Sequence, residues 1–162
     1  MLLDFTEPAE LQHWVSITDT VMGGISTSQM VRSDQGGGIF CGHLSLAHNG
    51  GFAAIRRALP EGCFSGYAGA SLRVKGDGRQ YQFRAKTDAE YDGIVYRCEF
   101  SAPADRWQTL ALPFSAFSAT FRGRVLTQAP RLDPVAIRQV GFLVADKQEG
   151  DFALEIAWID GG

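Results

Sequence analysis

Ala70-Ser-Leu-Arg-Val-Lys-Gly-Asp-Gly-Arg-Gln-Tyr-Gln-Phe-Arg-Ala-Lys86 is the stretch that decides the fold. Ala70, Leu72 and Val74 alternate with Ser71, Arg73 and Lys75. After Gly76-Asp77-Gly78, Tyr81, Phe83 and Ala85 alternate with Gln82, Arg84 and Lys86. Side chains of an extended chain point to opposite faces with period two, so each run has one apolar and one polar face. The pattern predicts a hairpin, buried on one side and solvated on the other, turning at the glycine-rich tripeptide. Ile94, Tyr96, Cys98 and Phe100, alternating with Val95, Arg97 and Glu99, extend the pattern into a third strand.

Outward from this centre the same signals recur. Toward the N-terminus, strands are expected at Gln12–Ser16, Ser28–Ser33, Ile39–Leu46 and Gly51–Leu59, separated by turns rich in Gly, Asp and Pro. Toward the C-terminus they are expected at Arg106–Leu112, Gln139–Ala145 and Phe152–Ile159, the last two joined as a hairpin through Asp146-Lys-Gln-Glu-Gly150. Short helical turns are expected at Thr6–Gln12, with Thr6 as cap, at Pro113–Phe117 and at Val135–Arg138. About ten closely spaced strands without long amphipathic helices predict an all-β sandwich or jelly roll, and nothing divides residues 1–162 into more than one domain.

Composition narrows the function. The chain has 162 residues, 45% hydrophobic and 20% charged, with net charge −3, enough to build a core and without the basic stripe of a nucleic-acid surface. No apolar run reaches the ~20 residues of a transmembrane helix, and the N-terminus shows no secretory signal pattern. Three cysteines, Cys41, Cys63 and Cys98, have no metal or disulfide spacing and read as buried free thiols in a reducing compartment, which places the protein in the cytoplasm.

Catalytic and metal chemistry find little footing. His13, His43 and His48 lie in no nucleophile motif, and an odd spacing separates His43 from His48 on a strand. Asp88, Glu90 and Asp92 read as a solvated turn. Gly36-Gly-Gly38 and Gly76-Asp-Gly78 lack the lysine and helix of a phosphate loop. Asp19 and Asp160 could approach one another, but two carboxylates fall short of the six to eight oxygens calcium takes. The expectation is a protein that is not an enzyme and needs no metal or cofactor.

Two features remain. Asp19-Thr-Val-Met-Gly-Gly-Ile-Ser26 combines adjacent glycines, Gly23 and Gly24, with two side chains that hydrogen-bond nearby backbone. It is expected to pack against Gly50-Gly51 as a structural clasp. Arg56 follows an apolar run and is expected to be buried, with Asp19 as its ion-pair partner. The second feature is the polar face of the middle strands, where Arg73, Lys75, Gln82, Arg84, Lys86, Arg97 and Glu99 are expected to project together as a binding surface. Tyr81, Tyr96 and Trp107 fall on the apolar side and are expected in the core.

In order and spacing these residues resemble the complex I intermediate-associated protein 30 family. The resemblance is carried by Trp14, Asp19–Ser26, Phe40-Cys-Gly42, Gly50-Gly-Phe-Ala53, Arg56, Arg73–Arg79, Tyr81, Tyr96-Arg97, Trp107-Gln108, Pro113-Phe114, Phe117, Gly123, Asp146-Lys-Gln148 and Phe152–Glu155. It implies a galactose-binding-like β-sandwich and a non-catalytic binding role like that of a respiratory complex I assembly factor. Protein partners would then be respiratory-complex subunits or assembly intermediates. The chain lacks the long N-terminal extension of mitochondrial members, so import is not expected. The alternative for this fold is a carbohydrate-binding module using the polar groove.

Overall fold

A computed structural model describes residues 2–19, 23–90 and 92–162. In chain order the strands are β1 (Leu3–Asp4), β2 (Trp14–Thr18), β3 (Thr27–Arg32), β4 (Gly38–Leu44), β5 (Ala53–Ala58), β6 (Gly69–Lys75) and β7 (Gln80–Lys86). They continue with β8 (Ile94–Ser101), β9 (Trp107–Pro113), β10 (Ser118–Phe121), β11 (Arg124–Val125), β12 (Gln139–Val144) and β13 (Gly150–Gly161). One short helix, α1 (Pro8–Leu11), and brief 3₁₀ turns at Phe114–Ala116 and Pro134–Ala136 stand where turns were expected. The Thr6 hydroxyl, however, bonds Asp4 rather than capping α1.

Two antiparallel sheets face each other. The first runs β3-β4-β13-β6-β9, with β1 beside β13, and the second runs β11-β10-β8-β7-β12-β5-β2. Between them lies a core in which Phe142 packs against Phe83 at 5.4 Å, Trp14 at 5.9 Å and Phe40 at 6.5 Å between ring centroids. Phe40, Phe83 and Phe142 are fully buried. Truncating one to alanine would cost about 3–5 kcal/mol by the usual large-to-small penalty.

Two sequence expectations are corrected here. β6 and β7 are not a hairpin: β6 pairs with β13 and β9, and β7 with β12 and β8. Gly76-Asp-Gly78 carries the chain from one sheet to the other, so Leu72 and Val74 enter the shared core from one sheet and Tyr81 and Phe83 from the other. Period-two alternation tells which face of a strand is buried but not which sheet holds it. The loop after β12 likewise crosses between sheets, so β12 and β13 are not a hairpin either.

The crossing loops carry a polar network. Asp77 accepts from the Arg79 backbone N–H, the Tyr81 hydroxyl and the Ala153 N–H. Arg79 reaches Asp146 Oδ1 at 2.8 Å and the Gln148 carbonyl at 2.6 Å. At the other end of the sandwich Glu10 accepts from the Trp14 indole and from two nitrogens of Arg57. The three free cysteines are half-buried, less enclosed than expected. Among the described residues no helix is long and apolar enough to cross a bilayer.

Candidate binding face

Register fixes the chemistry of the second sheet's outer face. Arg56 on β5 stands opposite Gly141 on β12, Gly141 opposite Arg84 on β7, and Arg84 opposite Arg97 on β8. One cross-strand row therefore reads Arg56–Gly141–Arg84–Arg97. The next row contains Ala54, Leu143, Gln82 and Glu99. This face forms a groove of about 790 Å³. Ile17, Phe52, Ala54, Val95 and Leu143 give it an apolar lining, while Arg56, Arg84, Arg97 and Lys147 bring positive charge and Arg122 is ion-paired at 2.8 Å with Asp92, which also lines it.

Gly141 has a clear physical reason. A Cβ there would stand 2.5 Å from the Ile55 carbonyl oxygen and 3.3 Å from Arg56 Cγ. Glycine inside a strand marks such a close approach. A second, small hollow of about 10 Å³ adjoins the groove at this point, lined among others by Gly141, Arg56, Arg84, Lys86 and Gln139.

Arg84 is the least compensated charge of the row. Its Nε is buried and makes no hydrogen bond. Burial first, and then the neighbouring charges of Arg56 and Arg97, pull its pKa down to about 10, as desolvation and like charge both disfavour a cation. Among the described residues neither Arg84 nor Arg97 has a carboxylate within ion-pair distance. Lys86 is also buried, but its Nζ donates to the Asp92 carbonyl at 2.9 Å and lies 3.5 Å from Asp88. Burial lowers its pKa, and Asp88 offsets part of that.

The clasp borders the groove at one end. Asp19 is fully buried. Its carboxylate accepts from the Ser26 N–H at 2.9 Å, the Ser26 hydroxyl at 2.7 Å and the Gly51 N–H at 2.7 Å. Burial alone would raise its pKa, but the Ser26 hydroxyl and the Gly51, Ser26 and Phe52 N–H groups outweigh it and hold the pKa below the ordinary value. A Cβ on Gly24 or Gly50 would overlap this carboxylate, so both positions require glycine. Gly50 and Gly51 also line the groove. Thr20, Val21 and Met22, the centre of the quoted loop, lie outside the described residues.

The expected site residues thus divide. Gln82, Arg84 and Arg97 line the groove, and Glu99 shares their face. Arg73 does not join them. It lies on β6 of the opposite sheet, where it and Lys75 stand over the Trp107 ring at 5.8 and 5.6 Å. Trp107 is consequently a half-exposed outer residue rather than core, whereas Tyr81 and Tyr96 are buried. The expected Asp19–Arg56 ion pair is also corrected: Asp19 is taken up by Ser26 and Gly51, and Arg56 faces the groove beside Arg84. Asp160 accepts from the Gly161 N–H, and no group of three or more metal-ligating side chains occurs among the described residues. Sequence reasoning missed Gly141 and Arg122. The first was signalled by a glycine inside an apolar strand, while the second sits on a loop with no periodic pattern.

Comparison with known proteins places these features. The family profile described as complex I intermediate-associated protein 30 matches residues 3–156. The mitochondrial protein of that name from Drosophila melanogaster is 28% identical over 98% of this chain and 61% of its own length. Its Mus musculus counterpart is 28% identical over 96% of this chain and 53% of its own length. The chain thus spans roughly half to three fifths of these relatives. In structure it is similar to the family 11 carbohydrate-binding module of a Clostridium thermocellum cellulosomal cellulase, with TM-score 0.71 and 20% identity over 100% of this chain and 94% of the module. A second structure of a family 11 module, in complex with a β-1,3-1,4-mixed-linked tetrasaccharide, gives TM-score 0.63 at 19% identity, covering 89% of this chain and 86% of that one. At such identities the likeness is one of fold, a β-sandwich of two antiparallel sheets.

Proposed function

We propose, from the premise that this chain belongs to the complex I intermediate-associated protein 30 family, that its groove is a protein-binding surface serving respiratory complex I assembly. The role is binding rather than catalysis. The observation that carries the reading is the make-up of the groove: an apolar lining edged by arginines, with Phe52 as the one aromatic among its described lining residues. Desolvated apolar area rimmed by charge is what a partner protein uses. A glycan binder of this fold would instead offer exposed aromatic rings on which sugars stack.

The alternative, carbohydrate binding, is favoured by one observation, the fold shared with modules of which one is seen holding a tetrasaccharide. Fold alone does not carry function. The relatives' names place them in mitochondria, and complex I assembly by this chain would put it on the side of the membrane where that complex is built.

Affinity capture decides between the readings. Complex I subunits should be recovered with the wild-type chain and lost with Ala145→Trp, an exposed groove-lining position, at unchanged melting temperature. Capture that survives Ala145→Trp would overturn the groove reading. Mixed-linkage glucan binding without subunit capture would favour the carbohydrate alternative.

A further inference from the structure

The geometry points to the Arg56–Gly141–Arg84–Arg97 row as a carboxylate-binding site for an acidic, extended segment of the partner, with acidic residues at positions i and i+2. This inference rests on the groove being the binding surface and adds what is recognised there.

Three observations support it. The first is charge complementarity. Three guanidinium groups share one row and one groove, yet among the described residues neither Arg84 nor Arg97 has a carboxylate partner within ion-pair distance. Clustering like charges on a partly buried surface is unfavourable unless something of opposite sign completes it. Carboxylates match the planar donor fork of arginine in a two-point geometry.

The second observation is the unused donor. Arg84 Nε is buried without a hydrogen-bond partner, an exception in a folded chain that calls for an explanation. The space beside Gly141, a hollow of about 10 Å³ lined in part by Arg56, Arg84, Lys86 and Gln139, has the scale of one water or one ligand oxygen. A side chain at Gly141 would collide with the Ile55 carbonyl and press on Arg56, so this part of the row stays open only with glycine there.

The third is spacing. Neighbouring strands are about 4.8 Å apart, so the four strands carrying the row span roughly 14 Å. One anion position lies between Arg56 and Arg84, over Gly141, and another between Arg84 and Arg97. At the backbone these are about one and a half strand spacings apart, roughly 7 Å, which equals the repeat between residues i and i+2 of an extended chain. Arg84 is shared by both positions. A segment crossing the strands with one carboxylate at each would give Arg84 and Arg97 the partners they lack, and its intervening side chain would point away.

The test uses purified full-length chain and capped peptides of sequence Gly-Asp-Gly-Asp-Gly, Gly-Asn-Gly-Asn-Gly and a bis-phosphoserine equivalent, titrated calorimetrically. The aspartate peptide should bind at least tenfold tighter than the asparagine peptide, with affinity falling as salt rises because the charges are only partly shielded from solvent. Arg97→Ala and Arg84→Met should each weaken it about tenfold. Circular dichroism and thermal melting confirm that both variants fold. Equal binding of the asparagine peptide, or no loss in the arginine variants, would overturn the proposal. A phosphoserine peptide binding tenfold tighter than aspartate would overturn the assignment to carboxylates. Failure of the acidic peptide while Ala145→Trp still abolishes subunit capture would sink this inference alone. If subunit capture instead survived Ala145→Trp, the groove reading itself would fall.

Discussion

Two charges, the buried Asp19 and the half-buried Arg84, border the same groove and are treated in opposite ways. Asp19 has its hydrogen-bond capacity met from within the chain, by two groups of Ser26 and one of Gly51. Arg84 has a buried Nε with no partner and two like charges beside it. The first arrangement lowers the energy of the folded state and leaves nothing for a ligand. The second costs stability while no ligand is bound and leaves a charge that lines the groove short of a partner. A charge completed by its own chain belongs to the structure, and a charge left short in a groove is available for binding. Stability–function trade-offs of this kind are common at binding sites.

The largest effect should come from breaking the completed side. Asp19→Ala strands the Ser26 and Gly51 donors and is expected to destabilise the fold by about 3 kcal/mol, since hydrogen bonds to a charged acceptor are worth roughly 1.5–3 kcal/mol each before relaxation. Urea denaturation measures it, and a change below 1 kcal/mol would show that the clasp is not held by this carboxylate.

Acid should expose the same contrast. The Asp19 pKa in the folded state lies below its ordinary value. Its contribution is therefore complete above the unfolded-state pKa of about 4 and is lost as pH falls from there through the folded-state pKa. Stability of the wild type should decline in that window, and Asp19→Asn should flatten the decline. Parallel pH curves for the two proteins would contradict the assignment. Arg84 sets no comparable slope near neutrality, because its pKa remains at about 10.

What the sequence disclosed follows the same division. Alternation at Ala70–Val74, Tyr81–Ala85 and Ile94–Phe100 located strands and their buried faces correctly, since period two reports burial directly. It does not report which sheet a strand joins, so the alternation groups Arg73 with Arg84 although β6 and β7 lie in opposite sheets. The clasp is legible in part because glycine and Asx chemistry is local; the need for glycine at Gly24 and Gly50 comes from contact with the Asp19 carboxylate, which the sequence does not show. The clasp's partner is not legible, because no local signal records that Arg56 faces the groove while Asp19 turns to Ser26 and Gly51. The row itself depends on register between β5, β12, β7 and β8, which is set by long-range pairing and has no signature within any one strand. Only Gly141, a glycine among Val140, Phe142 and Leu143, hinted that something passes close by.

The smallest effect on stability is also the most informative. Arg84→Met keeps much of the length and apolar stem of the side chain while removing a half-buried charge whose buried Nε has no partner. Replacing such a group by a hydrophobic one is neutral or stabilising, so the melting temperature should stay level or rise by up to about 3 °C, on the scale of 1 kcal/mol for a domain of this size. Binding of the Gly-Asp-Gly-Asp-Gly peptide, measured on the same sample, should fall about tenfold. A melting temperature several degrees lower with undiminished peptide binding would contradict the account, making Arg84 a structural residue and the groove's charge incidental.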